Sequence, residues 1–273
     1  SDLSWDGVLS AAKSYRRFPI FSTWGALFNV AGRQLPPLMF AAFFGGSAAG
    51  LYALAHRVLA MPMTIIGNAV GNVFFANAAE ANREGRLGSL VTSVHEKLSQ
   101  IAMPAAVVLV VAGPELFSFV FGPVWEEAGI FARWMAPWLY MVFITSPLST
   151  LFSVLHMERQ GMLFQAGLFV ARVIAICIGA WMNSMFLSVL LFSLVSTIFW
   201  GGFLAWVSYA TGGKLRDMAL PSLISLAISS VCILPVVIHS VAQSGAFGGV
   251  VATLLTATFF FIYYTWLARR LFN

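Results

Sequence analysis

Long apolar runs separated by short polar breaks set the pattern of this chain from about residue 21 onward. Eight runs read as membrane-spanning helices, roughly Phe21 to Phe44, Ala49 to Ala76, Ile101 to Phe121, Phe131 to Leu155, Leu163 to Met182, Phe186 to Tyr209, Leu220 to Ser240 and Gly248 to Leu267. Each meets the ~20 residues that a helix rising ~1.5 Å per residue needs to cross ~30 Å of hydrocarbon. The runs are continuously apolar rather than alternating, which favours helices over a transmembrane β-barrel. The breaks are rich in turn residues, Gly45-Gly46-Ser47 and Gly212-Gly213 among them, so neighbouring spans are predicted to form antiparallel hairpins. The predicted fold is all-α, a polytopic integral membrane bundle of about eight helices. Its divisions are a cytoplasmic amphipathic linker over 1–20, a six-helix lobe over 21–209, and a cytoplasmic loop with two accessory spans over 210–273.

Composition agrees with a lipid solvent: 60% of residues are hydrophobic and 9% charged, with a mean hydropathy of +0.87, where soluble domains carry ~25% charged residues. The net charge of +5 does not imply a nucleic-acid partner, because the basic residues cluster at the ends of apolar runs and there set topology. Lys13, Arg16, Arg17, Arg83, Arg86, Lys97, Arg159, Lys214, Arg216, Arg269 and Arg270 share one face, whereas the opposite breaks carry Glu115, Glu126, Glu127 and Arg133. The positive-inside bias places both ends in the cytoplasm of a bacterial inner membrane. The start at Ser1 and the polar stretch to Arg17 read as a linker cut from a longer polypeptide. Between Phe121 and Arg133, Glu126 and Glu127 lie between Trp125 and Trp134, a pattern that suits a short outer surface helix or an ordinary acidic loop.

Charge inside the spans changes the picture from architecture to function. In the first span Ser22, Asn29 and Arg33 share one helical face, and in the second Arg57, Thr64, Asn68 and Asn72 do the same. Counted from the outer ends, Arg33 and Arg57 sit at depths of ~16 and ~12 Å. An arginine there costs about 2.5–3.5 kcal/mol even on insertion scales, so it must meet a polar cavity or a partner. No carboxylate stands among the apolar interiors of the spans to neutralise it. A phosphate ligand fits, because the guanidinium fork binds phosphate oxygens bidentately. The competing reading is that the arginines snorkel or cap carbonyls, and that Asn29, Asn68 and Asn72 are interhelical glue. Gln34 lies ~100° off the stripe at the lip of such a cavity, and Arg172 in the fifth span ranks below Arg33 and Arg57, lining a secondary path or pairing with a missing half. Pro36-Pro37 and Pro62 are predicted to kink or interrupt the first two spans. Gly67-x-x-x-Gly71 fits close helix packing, and Ser222, Ser225, Ser229 and Ser230 mark the seventh span as a packed accessory helix.

Nothing in the chain seats a catalyst. His56, His95, His156 and His239 are scattered, Cys177 and Cys232 have no metal-ligand spacing, and no phosphate-cradling glycine loop or nucleophile elbow is present. No cofactor or metal site is expected, and the expectation is a transporter rather than an enzyme.

The segments Tyr15-Arg-Arg-Phe-Pro-Ile-Phe-Ser-Thr-Trp, Gln34-Leu-Pro, Ala49-Gly-Leu-Tyr-Ala-Leu-Ala-His-Arg-Val-Leu, Gly71-Asn-Val-Phe-Phe, Pro114-Glu-Leu-Phe, Phe121-Gly-Pro-Val-Trp-Glu-Glu-Ala-Gly, Ala136-Pro-Trp and Ser146-Pro-Leu-Ser resemble oligosaccharide flippases of the MOP exporter superfamily, the O-antigen and polysaccharide translocases. The resemblance covers about residues 10 to 180. It implies two six-helix lobes around a central cavity, with this chain as the second lobe plus an added pair. It further implies that the first two spans line the cavity, where cationic side chains meet the pyrophosphate of a polyprenyl-linked oligosaccharide during alternating access. The partners implied are that lipid-linked glycan, membrane lipid and the absent amino-terminal lobe. Rival readings are a drug or cation antiporter of the same superfamily, which would carry an intramembrane carboxylate, a membrane-embedded glycan ligase or acyltransferase, which would need a large outer loop, and a non-transporting assembly partner.

Overall fold

The structure, a computed structural model, describes residues 17–242 and 246–272, so the linker expected over 1–20 lies largely outside the described residues. The helices are α1 (Arg17–Arg83), α2 (Leu87–Phe121), α3 (Glu126–Thr145), the short α4 (Leu151–Val154), α5 (Glu158–Trp181), α6 (Met185–Ala210), α7 (Leu215–Ala242) and α8 (Ala246–Phe272). Six helices among the described residues are long and apolar enough to cross a bilayer, and a seventh crossing forms if Pro123–Thr145 and Pro147–Val154, bent by 44°, make one span. The first of the six runs over 63 residues, about three times the length a crossing requires. It is two legs joined at Gly45, and counting the legs separately recovers the eight predicted passages.

Gly45 has φ 86° and ψ 173°, a conformation essentially restricted to glycine. Beyond it the chain doubles back: the rings of Phe40 and Tyr52 lie 4.5 Å apart, whereas an unbroken helix would hold residues twelve apart at ~18 Å along its axis. The predicted interruption at Pro36-Pro37 is not observed, since helical backbone runs through both prolines and through residue 62. Proline is tolerated within a membrane helix when the carbonyl it deprives finds another donor, and Gly32 below is such a case.

The third passage also begins earlier than predicted. Over Leu87–Gln100 the helix is amphipathic, burying Leu87, Val91, His95 and Leu98 while exposing Ser89, Ser93 and Lys97, so a search for unbroken apolar runs passes over it. On the opposite side of the bundle the expected surface helix is a single tight turn, Pro123–Trp125, that leads directly into α3. Glu126 and Glu127 occupy the first turn of α3, where negative charge suits the helix dipole. Glu115 is helical rather than in a loop, and it stands 3.7 Å from Arg133, which also donates to the Val111 carbonyl at 2.9 Å.

Lipid exposure is written on the helix surfaces. On α5, Leu163, Val170, Ile174 and Ile178 are all exposed and recur at spacings of seven, four and four, an apolar outward stripe of the kind that faces lipid or another membrane helix rather than water. Inward, close approach is purchased with small residues: at Gly129 an added Cβ would stand 2.5 Å from the Cα of Pro114, and at Gly113 it would stand 2.8 Å from the Gly129 carbonyl oxygen. Gly71 likewise packs on Pro147, with 3.7 Å from an added Cβ to its Cα, whereas Gly67 meets nothing within 4 Å. Gly129→Val is therefore expected to force α2 and α3 apart and to cost about 1–3 kcal/mol by overpacking, read as a lowered melting temperature in detergent, while Gly67→Ala leaves it nearly unchanged.

The accessory pair is tied to α2 by polar contacts. His95 is fully buried, and its Nε2 donates to the Met218 carbonyl at 2.8 Å and lies 3.2 Å from Ser222 Oγ. Ser222 Oγ also accepts from Tyr140 Oη at 3.0 Å and from Ser99 Oγ at 3.2 Å. Tyr263 and Tyr264 donate to the carbonyls of Gln100 and Ile101 at 2.9 and 3.1 Å, and Arg270 pairs with Glu96 at 3.6 Å. Ser225 and Ser229 are buried and Ser222 half-buried on the packed side, whereas Ser230 is exposed. Removing one member leaves buried His95 and Ser99 short of a partner, so Ser222→Ala is expected to cost about 1–3 kcal/mol. The check is protease cleavage in the 211–214 turn, which should become faster as α7 loosens.

Candidate functional site

The two legs of α1 present different faces. Along the second leg Tyr52, Ala55, Leu59, Phe74 and Ala78 are buried, which turns the opposite face outward. That outward face carries Arg57, Thr64, Asn68 and Asn72, all exposed, interspersed with exposed Met61, Ile65 and Val73. Thr64 spends its hydroxyl on the Met61 carbonyl at 2.9 Å. The first leg buries Gly25, Gly32 and Pro36 against α5, where Phe28 meets Phe169 with ring centroids 5.9 Å apart. Asn29 and Ser22 are half-buried at the edge of that contact, Arg33 is exposed beside it, and Gln34 is exposed on the far side.

Arg33 lies within electrostatic reach of His56 and of Arg172, and His56 directly precedes Arg57. Arg33, His56 and Arg172 thus lie near one another partway along the two legs, well away from the join at Gly45, with Arg57 on the adjoining outward face. Asn68 and Asn72 continue along the second leg, eleven or more residues beyond Arg57. The ion pairs among the described residues are Arg86–Glu84, Arg133–Glu115 and Arg270–Glu96; among these residues Arg33, Arg57 and Arg172 have no carboxylate partner. Three guanidiniums without built-in counterions leave a positive field open to an anion.

Arg172 is placed differently from the other two, being only 6% exposed. Its Nε donates to Ser196 Oγ at 2.9 Å, and a terminal nitrogen donates to the Gly32 carbonyl at 3.3 Å. The guanidinium carbon stands 5.2 Å from the Trp138 ring centroid and 5.0 Å from that of Phe192, a cation–π arrangement on two faces. His56 stacks between Tyr52 and Trp138, at 5.9 and 5.8 Å, and Trp138 meets Phe192 edge-on at 5.0 Å. The sequence reading missed this aromatic box around Arg172. Its members come from α1, α3 and α6, so no spacing along one helix reveals them; the one sequence signal is a lone arginine in an apolar helix, which needs such a shell.

An α-helical membrane bundle, whose broken leading hairpin carries Arg33 and Arg57 without a carboxylate partner among the described residues, is the class that fold and site define. Residues 2–129 match the profile of a family described as polysaccharide biosynthesis protein. The fold matches a solved structure of the lipid II flippase MurJ in its inward closed conformation, with a TM-score of 0.66 at 12% identity, covering all of this chain and 57% of that one. The chain therefore spans a little over half the length of that flippase. No curated protein matches the chain in sequence. Over residues 2–129 the chain is similar in sequence to the polysaccharide-biosynthesis family, its fold is similar to that of the flippase, and it is a multi-pass membrane protein.

Proposed function

We propose that this chain forms the carboxyl-terminal half of a flippase that moves a polyprenyl-pyrophosphate-linked oligosaccharide across a bacterial inner membrane by alternating access. Both ends of the chain lie on the cytoplasmic side, and an amino-terminal lobe completes the cavity wall. The observation that carries the reading is α1, where Arg57, Asn68 and Asn72 stand exposed on the second leg and Arg33 on the first, with no carboxylate partner for either arginine among the described residues. Arg33 and Arg57 engage the pyrophosphate oxygens, because a guanidinium fork matches phosphate geometry and stays charged at any depth. Asn29, Gln34, Asn68 and Asn72 offer amide donors and acceptors of the kind that read sugar hydroxyls. The exposed Met61, Ile65 and Val73 between them give the same face an apolar component suited to a lipid-linked cargo.

A flippase and a membrane-embedded glycan ligase predict different intermediates. Depleting the protein from its own cell is expected to leave lipid-linked oligosaccharide complete but protected from periplasmic glycosidases, with surface glycan lost. If the intermediate instead becomes accessible from outside yet stays unligated, the protein acts after translocation and the proposal fails.

A further inference from the structure

An α-helical carbonyl accepts from the N–H four residues later, and for Gly32 that residue is Pro36, which has no N–H. The orphaned carbonyl lies inside the lobe, where an unpaired acceptor is costly. Arg172 supplies the missing donor from α5. Its second hydrogen bond, to Ser196, and the rings of Trp138 and Phe192 hold the guanidinium from α6 and α3. Three helices thus fix one donor against the backbone of the first leg, at the residue immediately before Arg33. The same guanidinium lies in electrostatic reach of Arg33, with no carboxylate partner of its own among the described residues.

We infer that Arg172 is a positioning residue for the anion site: it caps the carbonyl that Pro36 leaves open, fixes the backbone that carries Arg33, and backs Arg33 with a second positive charge. This rests on the reading of Arg33 as a pyrophosphate ligand. Arg172 itself touches no substrate, being sealed in its aromatic box. The arrangement gives Pro36 a purpose as well, since it frees the acceptor through which α5 grips α1.

The test measures binding of farnesyl pyrophosphate to the complete protein in detergent, for Arg33→Gln, Arg172→Met and the two combined. Each single change is expected to weaken binding about tenfold, and the pair no more than Arg33→Gln alone, because residues acting through one another are non-additive. Arg172→Met binding as well as the unaltered protein, or losses that multiply in the pair, overturns the positioning role while leaving the ligand role of Arg33 intact. Wild-type binding by Arg33→Gln overturns both. Pro36→Ala is the second variant, because it returns an N–H to the Gly32 carbonyl within its own helix. In that background Arg172→Met is expected to lose clearly less affinity than it does alone, because the carbonyl no longer needs Arg172 and only the backing charge is missing; a loss as large as in the unaltered background rejects the capping role.

Discussion

Replacing Arg33 and Arg57 together with glutamine is expected to abolish surface glycan export while leaving the protein folded and in the membrane. Both side chains are exposed, and neither holds an ion pair among the described residues, so the fold loses little when they are neutralised. The ligand loses much more. A hydrogen bond to a charged group is worth about 1.5–3 kcal/mol, and every ~1.4 kcal/mol is tenfold in affinity. Each substitution is then worth roughly ten- to a hundredfold. Arg33→Lys and Arg57→Lys keep the charge but lose the two-pronged geometry, so export should fall to an intermediate level. The check is surface glycan per cell, normalised to the amount of protein in the membrane; export that survives the double glutamine change removes the ligand role from both arginines.

The second large effect is expected at the join between the legs. Gly45→Ala should destabilise the protein by about 1–3 kcal/mol, the usual cost of forcing a side chain into a backbone region reserved for glycine, and Gly45→Val should cost more. Neither change meets a steric obstacle, because a Cβ at Gly45 finds nothing within 4 Å. Gly46 is a built-in control: its surroundings are equally open, and it lies in helical backbone without a positive φ. Gly46→Ala should be neutral or slightly stabilising, since alanine favours helix by up to ~1 kcal/mol over glycine. Melting temperatures of the two alanine variants in detergent check this. Equal values would mean that the hairpin does not depend on the conformation of Gly45.

Local grammar made some of this legible from sequence. The Gly45-Gly46-Ser47 break marked the join between the first two passages, and the spacing of Arg57, Thr64, Asn68 and Asn72 put them on one face, which the structure leaves outward. Periodicity suffices there because the second leg is regular and its core face is uniformly apolar. The prolines were misread because their effect is decided by tertiary contact: Pro36 does not interrupt the helix once Arg172, 140 residues from Gly32, satisfies the stranded Gly32 carbonyl. The start of α2 escaped for a different reason, since an amphipathic helix with exposed Ser89, Ser93 and Lys97 looks like a polar break. The His95–Ser222 contact joins residues 127 apart, and no local pattern announces such a meeting of scattered polar groups. The roles of Arg33, Arg57 and the amide side chains depend further on a cavity that needs a second wall.

Native mass spectrometry of the complete protein with a polyprenyl pyrophosphate measures the central claim most directly. One lipid is expected to remain bound to the unaltered protein and to be displaced by inorganic pyrophosphate, and the Arg33→Gln, Arg57→Gln variant is expected to retain almost none. Equal retention by both proteins would contradict the assignment of the α1 face as the pyrophosphate site.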